Sequence, residues 1–540
     1  MRRPAGLLGA LPLALLAAVV LVLVLAPSTA AAAPAPPQLR HNGKWLVDPA
    51  GRVVLLHGLN AVWKHAPYVP PDAAAGFTAR DADFLATNGF NAVRLGVLFA
   101  GVMPQPGVVD TAYLDKVDRV VQLLAGRRIW VLLDFHQDDY NEKFTGEGLP
   151  SWAVHDDGLP FVPAGSFFAN YFTPALARTF DNLWADTDGI WDAYATGWLA
   201  VADRWASQPY LMGYDLFNEP SAGSQALTCA NPQGCAQFDA TLQRFYDHVR
   251  AAIRTRDRGN LVWYEPQFFF NALSASHFGP IDDPQVALSW HDYACAPAFA
   301  GSSVIPGDPD CVLNEPRVMD NAESQRAAMG AGSLLTEFGS HDDISDLARM
   351  TELADQRLTG WLYWAYKAWD DPTGNPAAEG LFARDADLAS LKAPKADVLI
   401  RPYPQAVAGI PLSLSWDPAG HVMDLRLDAK PRTGLTDIYV PDRQYPGGYD
   451  VQVTGGRVSP TSSGRHVLVA AAGAGEVRIV VRPRTRSAGN GAPSAAPSAT
   501  RPTARGTLAT TGSRGTLPMA AGVVLLGCAA GLRRWARRAR

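Results

Sequence analysis

The sequence predicts a (β/α)8 barrel followed by a small antiparallel β-sandwich. Three observations carry this expectation. Eight short apolar runs alternate with stretches of helical periodicity between residues 53 and 366. Strands buried on both faces read as such continuous runs, not as alternating ones. Two of the runs, Tyr214-Asp215-Leu216-Phe217-Asn218-Glu219-Pro220 and Leu334-Leu335-Thr336-Glu337-Phe338-Gly339, end in a Glu and then a breaker. That pattern places a carboxylate at the C-terminal tip of a buried strand, where a parallel barrel builds its active site. After Pro394 the texture changes to short Val/Leu/Ile runs separated by turn residues, as in a two-sheet sandwich. A doubly wound open sheet would usually carry a Gly-rich phosphate loop near its first strand, and the sequence has none there.

The elements follow in order. Asp48-Pro49-Ala50-Gly51 is a turn between Lys44-Trp45-Leu46-Val47 and Arg52-Val53-Val54-Leu55, a hairpin suited to closing the barrel bottom. The predicted strands are Val53–Asn60, Phe90–Val97, Ile129–His136, Leu211–Glu219, Leu261–Gln267, Val286–Tyr293, Ser333–Glu337 and Gly360–Tyr366. The predicted helices are Thr78–Asn88, Thr111–Ala125, Ile190–Ala206, Ala236–Arg256, Met319–Met329 and Ile344–Leu358. Two loops are long: 137–189, rich in Phe, Tyr, Trp, Pro and Gly, and 294–318, with Cys295 and Cys311. Loops of this length without secondary structure of their own are usually functional. The barrel domain is assigned to 34–394 and the sandwich to 395–485.

The chain has 540 residues, 48% hydrophobic and 18% charged, which fits two folded domains plus tails. A formal charge of −5 without a basic stripe argues against nucleic acid as the main partner. Residues 1–33 read as a secretory signal: Arg2 and Arg3, an apolar run from Leu7 to Leu25, then an Ala-rich exit with cleavage near Ala30 to Ala33. The run is also long enough for an uncleaved anchor. Cys229, Cys235, Cys295 and Cys311 lie in the exported body, an even count that suggests disulfides. Pairing 229 with 235 and 295 with 311 would staple two loops, and other pairings remain open. The spacing lacks a CxxC, which argues against a metal site. Cys528 falls in the C-terminal apolar segment.

Residues 486–507 are Ser, Ala, Pro, Thr, Gly and Arg, the composition of a disordered spacer. Residues 508–540 hold Leu508-Ala509-Thr510-Thr511-Gly512, an apolar stretch from Leu517 to Leu532, and an Arg-rich tail. This order resembles a sortase cell-wall sorting signal of the Leu-Ala-x-Thr-Gly type. The resemblance implies a sortase partner, cleavage after Thr511 and wall attachment, with membrane contact through the apolar segment beforehand. A plain membrane anchor is the competing reading, since the basic tail would orient one inward.

Paired carboxylates at strand ends are what glycoside hydrolysis requires. Around them the sequence places Arg94 in the second strand, His136 at the end of the third, Asn218 before Glu219, His291 and Tyr293 at the end of the sixth, and Trp364 in the eighth. Taken singly, Arg94 reads as a buried ion-pair member, the histidines as satisfied core groups and Trp364 as core. Together, in this order, they resemble glycoside hydrolase family 5. The resemblance covers about residues 40–395.

Within that family the chain is similar to the endoglycoceramidases, which cleave between the sugar headgroup and the ceramide of glycosphingolipids. The similarity rests on His57-Gly58-Leu59-Asn60-Ala61-Val62-Trp63-Lys64, Asp134-Phe135-His136-Gln137-Asp138, Gly148-Leu149-Pro150-Ser151-Trp152-Ala153 and Gly360-Trp361-Leu362-Tyr363-Trp364-Ala365-Tyr366-Lys367. Ser151 stands where a more acidic residue is expected. The resemblance implies Glu219 as acid/base and Glu337 as nucleophile, the latter kept ionised by Arg94 and Tyr293. The negative Glu337, with partial desolvation, would raise the Glu219 pKa. Asn218 would bind the sugar 2-hydroxyl. Lys64, His136, Asp138 and His291 would bind sugar, with Trp364 a stacking platform and Trp369 a second one. No metal or organic cofactor is required, and a monomer is expected.

Two alkyl chains must leave water, at roughly 25 cal/mol per Å² of apolar surface. Phe144, Leu149, Trp152, Phe161, Phe167, Phe168, Tyr171, Phe172, Phe268, Phe269 and Phe270 could line a groove for them or pack the long loop onto the barrel. Competing activities are an endo-β-glucanase or mannanase and a galactosylceramide or steryl-glucoside hydrolase. A surface adhesin on a dead barrel would need a lost catalytic group, and both Glu are present.

Overall fold

The computed structural model describes residues 37–294, 309–430 and 433–484. The predicted leader, spacer and sorting stretch, with Cys295 and Cys528, lie outside the described residues. No helix among the described residues is long and apolar enough to cross a membrane.

The chain enters through β1 (Arg40–Asn42), β2 (Trp45–Val47) and β3 (Val53–Val54). Eight parallel strands then close a barrel: β4 (His57–Ala61), β5 (Ala92–Val97), β6 (Trp130–Phe135), β7 (Leu211–Asp215), β8 (Leu261–Tyr264), β9 (Val286–Asp292), β10 (Gly332–Phe338) and β11 (Trp361–Tyr363). Alternation along the strands builds layers inside it. Ala92, Leu132, Met212, Ala287, Leu334 and Leu362 fill the lower interior, closed from below by Leu46 and Val54 of the entry hairpin. Two residues further along their strands, Arg94, Asp134, Ser289 and Thr336 form a buried polar layer. The catalytic face is therefore the far end from the hairpin.

The C-terminal strands are β12 (Tyr403–Val407), β13 (Gly409–Asp417), β14 (Val422–Ala429), β15 (Thr436–Tyr439), β16 (Tyr449–Thr454), β17 (Gly456–Val458), β18 (His466–Ala471) and β19 (Gly475–Pro483). They form a four-stranded sheet, β13-β14-β19-β16, and a seven-stranded sheet, β1-β2-β3-β12-β15-β18-β17, into which the entry hairpin is built. Tyr403 and Tyr439 dock this domain on the barrel, their hydroxyls donating to the carbonyls of Gly89 (2.6 Å) and Thr87 (2.9 Å). Gly89 follows the helix Ala79–Thr87 with φ +78, and a Cβ there would lie 2.3 Å from the Tyr439 ring. Only glycine meets both demands.

Several element limits differ from the expectation. Val53–Asn60 is not one strand, because its apolar residues serve two cores. Val53 and Leu55 pack in the sandwich and Val54 and Leu56 under the barrel, and the barrel strand starts at His57. The fourth strand stops at Asp215, not Glu219, and the eighth is only Trp361–Tyr363. The long loop contains the helices Phe167–Asn170 and Pro174–Trp184. The latter has Pro174 at its first position, where the missing N–H costs nothing, and it buries Leu176, Phe180 and Leu183. Helix Pro309–Met329 takes in the end of the second loop. The domain boundary expected at 394 falls inside the helix Ala393–Leu399. Cys229 and Cys235 form a disulfide; the pairing of Cys295 with Cys311 involves a residue outside the described ones.

Candidate active site

Glu219 lies four residues beyond β7 with φ 43, a left-handed conformation that a Glu seldom takes. Its surroundings over-determine it. The Glu219 amide donates to Glu265 Oε1 at 2.9 Å and its carbonyl accepts from Gln137 Nε2 at 3.2 Å. Its carboxylate accepts from Asn271 Nδ2 at 2.7 Å and faces His291 Nδ1 at 2.8 Å. Glu337, in β10, accepts from Arg94 Nη1 at 2.5 Å and from the Tyr293 hydroxyl at 3.1 Å.

Ligand atoms of Glu219, His291 and Glu337 all lie within 4.8 Å of one another. Retaining glycosidases hold their carboxyls about 5–5.5 Å apart and inverting ones about 6.5–9.5 Å, and a closest approach within 4.8 Å is on the retaining side of that divide. The three groups could surround a cation. Both carboxylates, however, are already engaged by the donors Arg94, Tyr293 and Asn271, so the set is organised as a hydrogen-bonded acid pair.

Arg94, fully buried, is the hub. Its guanidinium reaches Asp215 (2.8 Å), Asp134 (3.0 Å), Glu265 (3.4 Å), Glu337 (2.5 Å) and Asn218 Oδ1 (2.8 Å). Only a planar five-donor fork serves so many acceptors. Burial pushes the Glu219 carboxyl up to about 8, with the Asp138 charge adding to the rise while His136, Arg94 and Lys64 oppose it. The sequence pointed to Glu337 as the repelling neighbour; Asp138 is a further one that it did not name. Burial, with the mutual Glu219–Glu337 repulsion adding to it and His291 and Arg94 opposing, holds Glu337 above its ordinary value. Burial pushes His291 down to about 3, so its ring is neutral and free to donate from Nδ1. His136 is pulled up to about 10 against its own burial by the Asp134 and Asp138 carboxylates, so it is a cation.

The acid pair opens into a cavity of about 350 Å³, within the usual range for small-molecule sites. One part of its lining is charged. Lys64 Nζ meets Asp138 (2.6 Å), Asp371 (2.9 Å) and Thr373 Oγ1 (2.6 Å) and sits 4.7 Å from the centre of the Trp364 ring. That ring stacks on His136. Another part is aromatic: Phe167, Phe168, Tyr171 and Phe268. Phe268 and Asn271 share the turn Phe268–Ala272, so the aromatic wall belongs to the side on which Glu219 is held.

Of the residues singled out in the sequence, Lys64, His136, Asp138, Asn218, Glu219, Tyr293, Glu337 and Trp364 line this cavity. His291 does not line it; it lies behind Glu219, fully buried. Trp369 is not brought to it either. Its indole donates to the Ala75 carbonyl and its ring packs near Trp63 and Tyr366, so the second stacking platform is withdrawn. Phe144, Leu149 and Phe270 are core residues, Phe161 packs on Phe144, and the Trp152 indole donates to the Met103 carbonyl. These hold the loop on the barrel. The reading from sequence missed Asn271, Glu265, Asp371 and Thr373. One signal was available: Glu265-Pro266 closes the fifth apolar run as Glu219-Pro220 closes the fourth.

Residues 47–370 match the cellulase (glycosyl hydrolase family 5) model, and 401–481 match the glycoside hydrolase family 5 C-terminal domain. The chain is 36% identical over 465 residues to endoglycoceramidase I of Rhodococcus hoagii (strain 103S), covering 84% of this chain and 89% of that one. It is 28% identical over 448 residues to the endoglycoceramidase of Hydra vulgaris, covering 76% and 81%. Its fold matches endo-glycoceramidase II from Rhodococcus sp. in a ganglioside GM3 complex, with a TM-score of 0.69 and 28% identity over 82% of this chain and 100% of that one. On the matched barrel, the matched C-terminal domain and this degree of identity, the chain belongs to glycoside hydrolase family 5.

Proposed function

We propose that this protein is a retaining glycosidase that cleaves the β-glycosidic bond between the oligosaccharide and the ceramide of glycosphingolipids. The observation that carries the reading is the single cavity in which the acid pair meets both a charged lining and an aromatic one. The substrate has the same two-part character. Polysaccharide hydrolysis would call for sugar-binding surfaces on both sides of the acid pair.

Glu337 attacks the anomeric carbon while Glu219 gives its proton to the leaving oxygen on the aromatic side. The ceramide departs with that proton. Water then enters, Glu219 takes a proton from it, and the glycosyl–Glu337 ester is hydrolysed with net retention. Asn218, whose Oδ1 accepts from Arg94 and whose Nδ2 donates to the Gln137 carbonyl, lines the cavity and offers its second amide N–H to the 2-hydroxyl. Lys64, Asp138 and His136 bind further hydroxyls, and Trp364 supports the ring. Arg94 and Tyr293 bind charge on Glu337 when it is the free carboxylate. His291 and Asn271 orient Glu219.

We extend the proposal to location: export by residues 1–33 and wall attachment through Leu508, Thr511 and Gly512. It rests on the charged and apolar N-terminal pattern and on the order of motif, apolar stretch and Arg-rich tail.

The test is hydrolysis of lactosylceramide, a ganglioside, glucosylceramide and galactosylceramide beside carboxymethyl-cellulose and mannan, across pH. Intact ceramide is the expected lipid product, with polysaccharides untouched. Since Glu219 holds its proton up to about 8, kcat/KM falls as pH rises through that value. Since Glu337 sits above its ordinary value, the acid limb lies above the pH of a free Glu side chain. Polysaccharide cleavage with inert lipids contradicts the assignment.

A further inference from the structure

Three wall residues, Phe167, Phe168 and Tyr171, are carried by the long loop and not by a barrel strand; Tyr171 stacks on Phe268 and Phe168 packs edge-on against it, and hydrogen bonds behind the wall fix the loop itself. Asn170, 3% exposed, lies between the wall residues Phe168 and Tyr171. Its Nδ2 donates to Asp139 Oδ2 (2.9 Å), Thr145 Oγ1 (2.9 Å) and the Phe144 carbonyl (3.3 Å), and its Oδ1 accepts from the Ala164 amide (2.9 Å). The Tyr171 hydroxyl accepts from the Asp139 amide at 2.9 Å. Asp139 is fully buried, and its second oxygen has no hydrogen-bond partner. Neither Asp139 nor Asn170 lines the cavity.

Asp139 is also the chain neighbour of Asp138, which grips Lys64 and Thr373 in the charged lining. Asp139 and Tyr140 both take positive φ, 50 and 68. The chain turns there, so the Asp138 carboxylate meets Lys64 in the cavity lining while the Asp139 carboxylate meets Asn170 behind the aromatic wall. Two successive residues thus tie the sugar-side grip to the leaving-group wall.

We propose that Asp139 and Asn170 are positioning residues that set selectivity for a long-chain lipid leaving group by fixing the aromatic wall in register with Asp138. The inference rests on the ceramide reading above. It requires the pair to matter when the leaving group needs the wall and not when the leaving group is small. Burial pushes the Asp139 carboxyl up to about 8, with the Asp138 charge contributing, so a neutral amide is a fair replacement at neutral pH. Asp139→Asn should keep the acceptor that Asn170 uses, whereas Asp139→Ala removes it.

The experiment measures kcat and KM at pH 7 for lactosylceramide in detergent micelles and for 4-nitrophenyl β-lactoside. The proteins are wild type, Asn170→Ala, Asp139→Ala and Asp139→Asn, each with a melting curve. The wall shifts without being lost, and misplacements of about 1 Å can cost up to about a hundredfold. Asn170→Ala and Asp139→Ala are expected to lower kcat/KM for lactosylceramide at least about tenfold, chiefly through KM. The aryl lactoside should stay within about twofold, and Asp139→Asn should restore the lipid activity. Equal losses on both substrates, or no loss on the lipid, overturn the inference. Wild type that hydrolyses the aryl lactoside but not lactosylceramide overturns the ceramide reading itself, and the inference with it.

Discussion

Glu337→Gln is expected to lower kcat by about 10⁴-fold or more on glycolipid and aryl glycoside alike, with folding retained. The amide matches the carboxylate in shape and still offers an oxygen to Arg94 or to Tyr293. What it lacks is the negative charge and lone-pair reactivity needed to form the glycosyl ester. Removal of a nucleophile from a group that works as a unit costs most of what the unit supplies. No other carboxylate can take over. Glu219 is held by Asn271 and His291, and Glu265 holds the Glu219 amide from a fully buried position. The check is single-turnover kinetics with a melting curve of the same protein. Residual activity within about tenfold of wild type would place the nucleophile elsewhere.

Arg94→Met is expected to be the most destabilising substitution in the barrel. The guanidinium neutralises Asp134, Asp215, Glu265 and Glu337, all buried. Removing one side of a buried ion network leaves charges unpaired and costs about 3–5 kcal/mol. Part of this is relieved if carboxyls take up protons. Burial already raises Asp215 to about 6 and Glu265 well above its ordinary value, with Arg94 opposing both shifts. Loss of Arg94 also lets Glu337 rise further, so the acid limb of the pH profile moves to higher pH. Arg94→Lys keeps the charge without the fork and is expected to leave the acid limb nearer to wild type than Arg94→Met does. Denaturant unfolding and pH–rate profiles of the two variants separate the effects. A stable Arg94→Met protein with a wild-type acid limb contradicts the role given to this residue.

The parts of the fold legible in the sequence were those where one core dictates the pattern. The strand Trp130–Phe135 and the helix Thr111–Ala125 each serve a single interface, and their limits came out within a residue. Val53 to Leu56 serves two cores in alternation, so a continuous apolar run concealed a break between two sheets. The site was legible in Glu219 and Glu337 because each is a carboxylate closing an apolar run at a strand end, a pattern that Glu265 at the fifth run shares. Asn271 was not, since its role follows from the turn Phe268–Ala272 folding back to Pro220 through the Phe268 amide. Asp371 and Thr373 were not either, because they reach Lys64 from a turn whose composition is that of any loop. Trp369 carried a platform residue's identity but folds away from the cavity. Side-chain direction in an irregular segment is not encoded by spacing.

The most direct measurement is the first-formed anomer of lactose released from lactosylceramide, followed by NMR before mutarotation, with ceramide recovered alongside. The account predicts β-lactose and intact ceramide, since an acid pair this close leaves no room for a water between carboxylate and sugar. Release of α-lactose would show direct attack by water and contradict the role of Glu337. Recovery of a fatty acid in place of ceramide would contradict the bond assigned to this site.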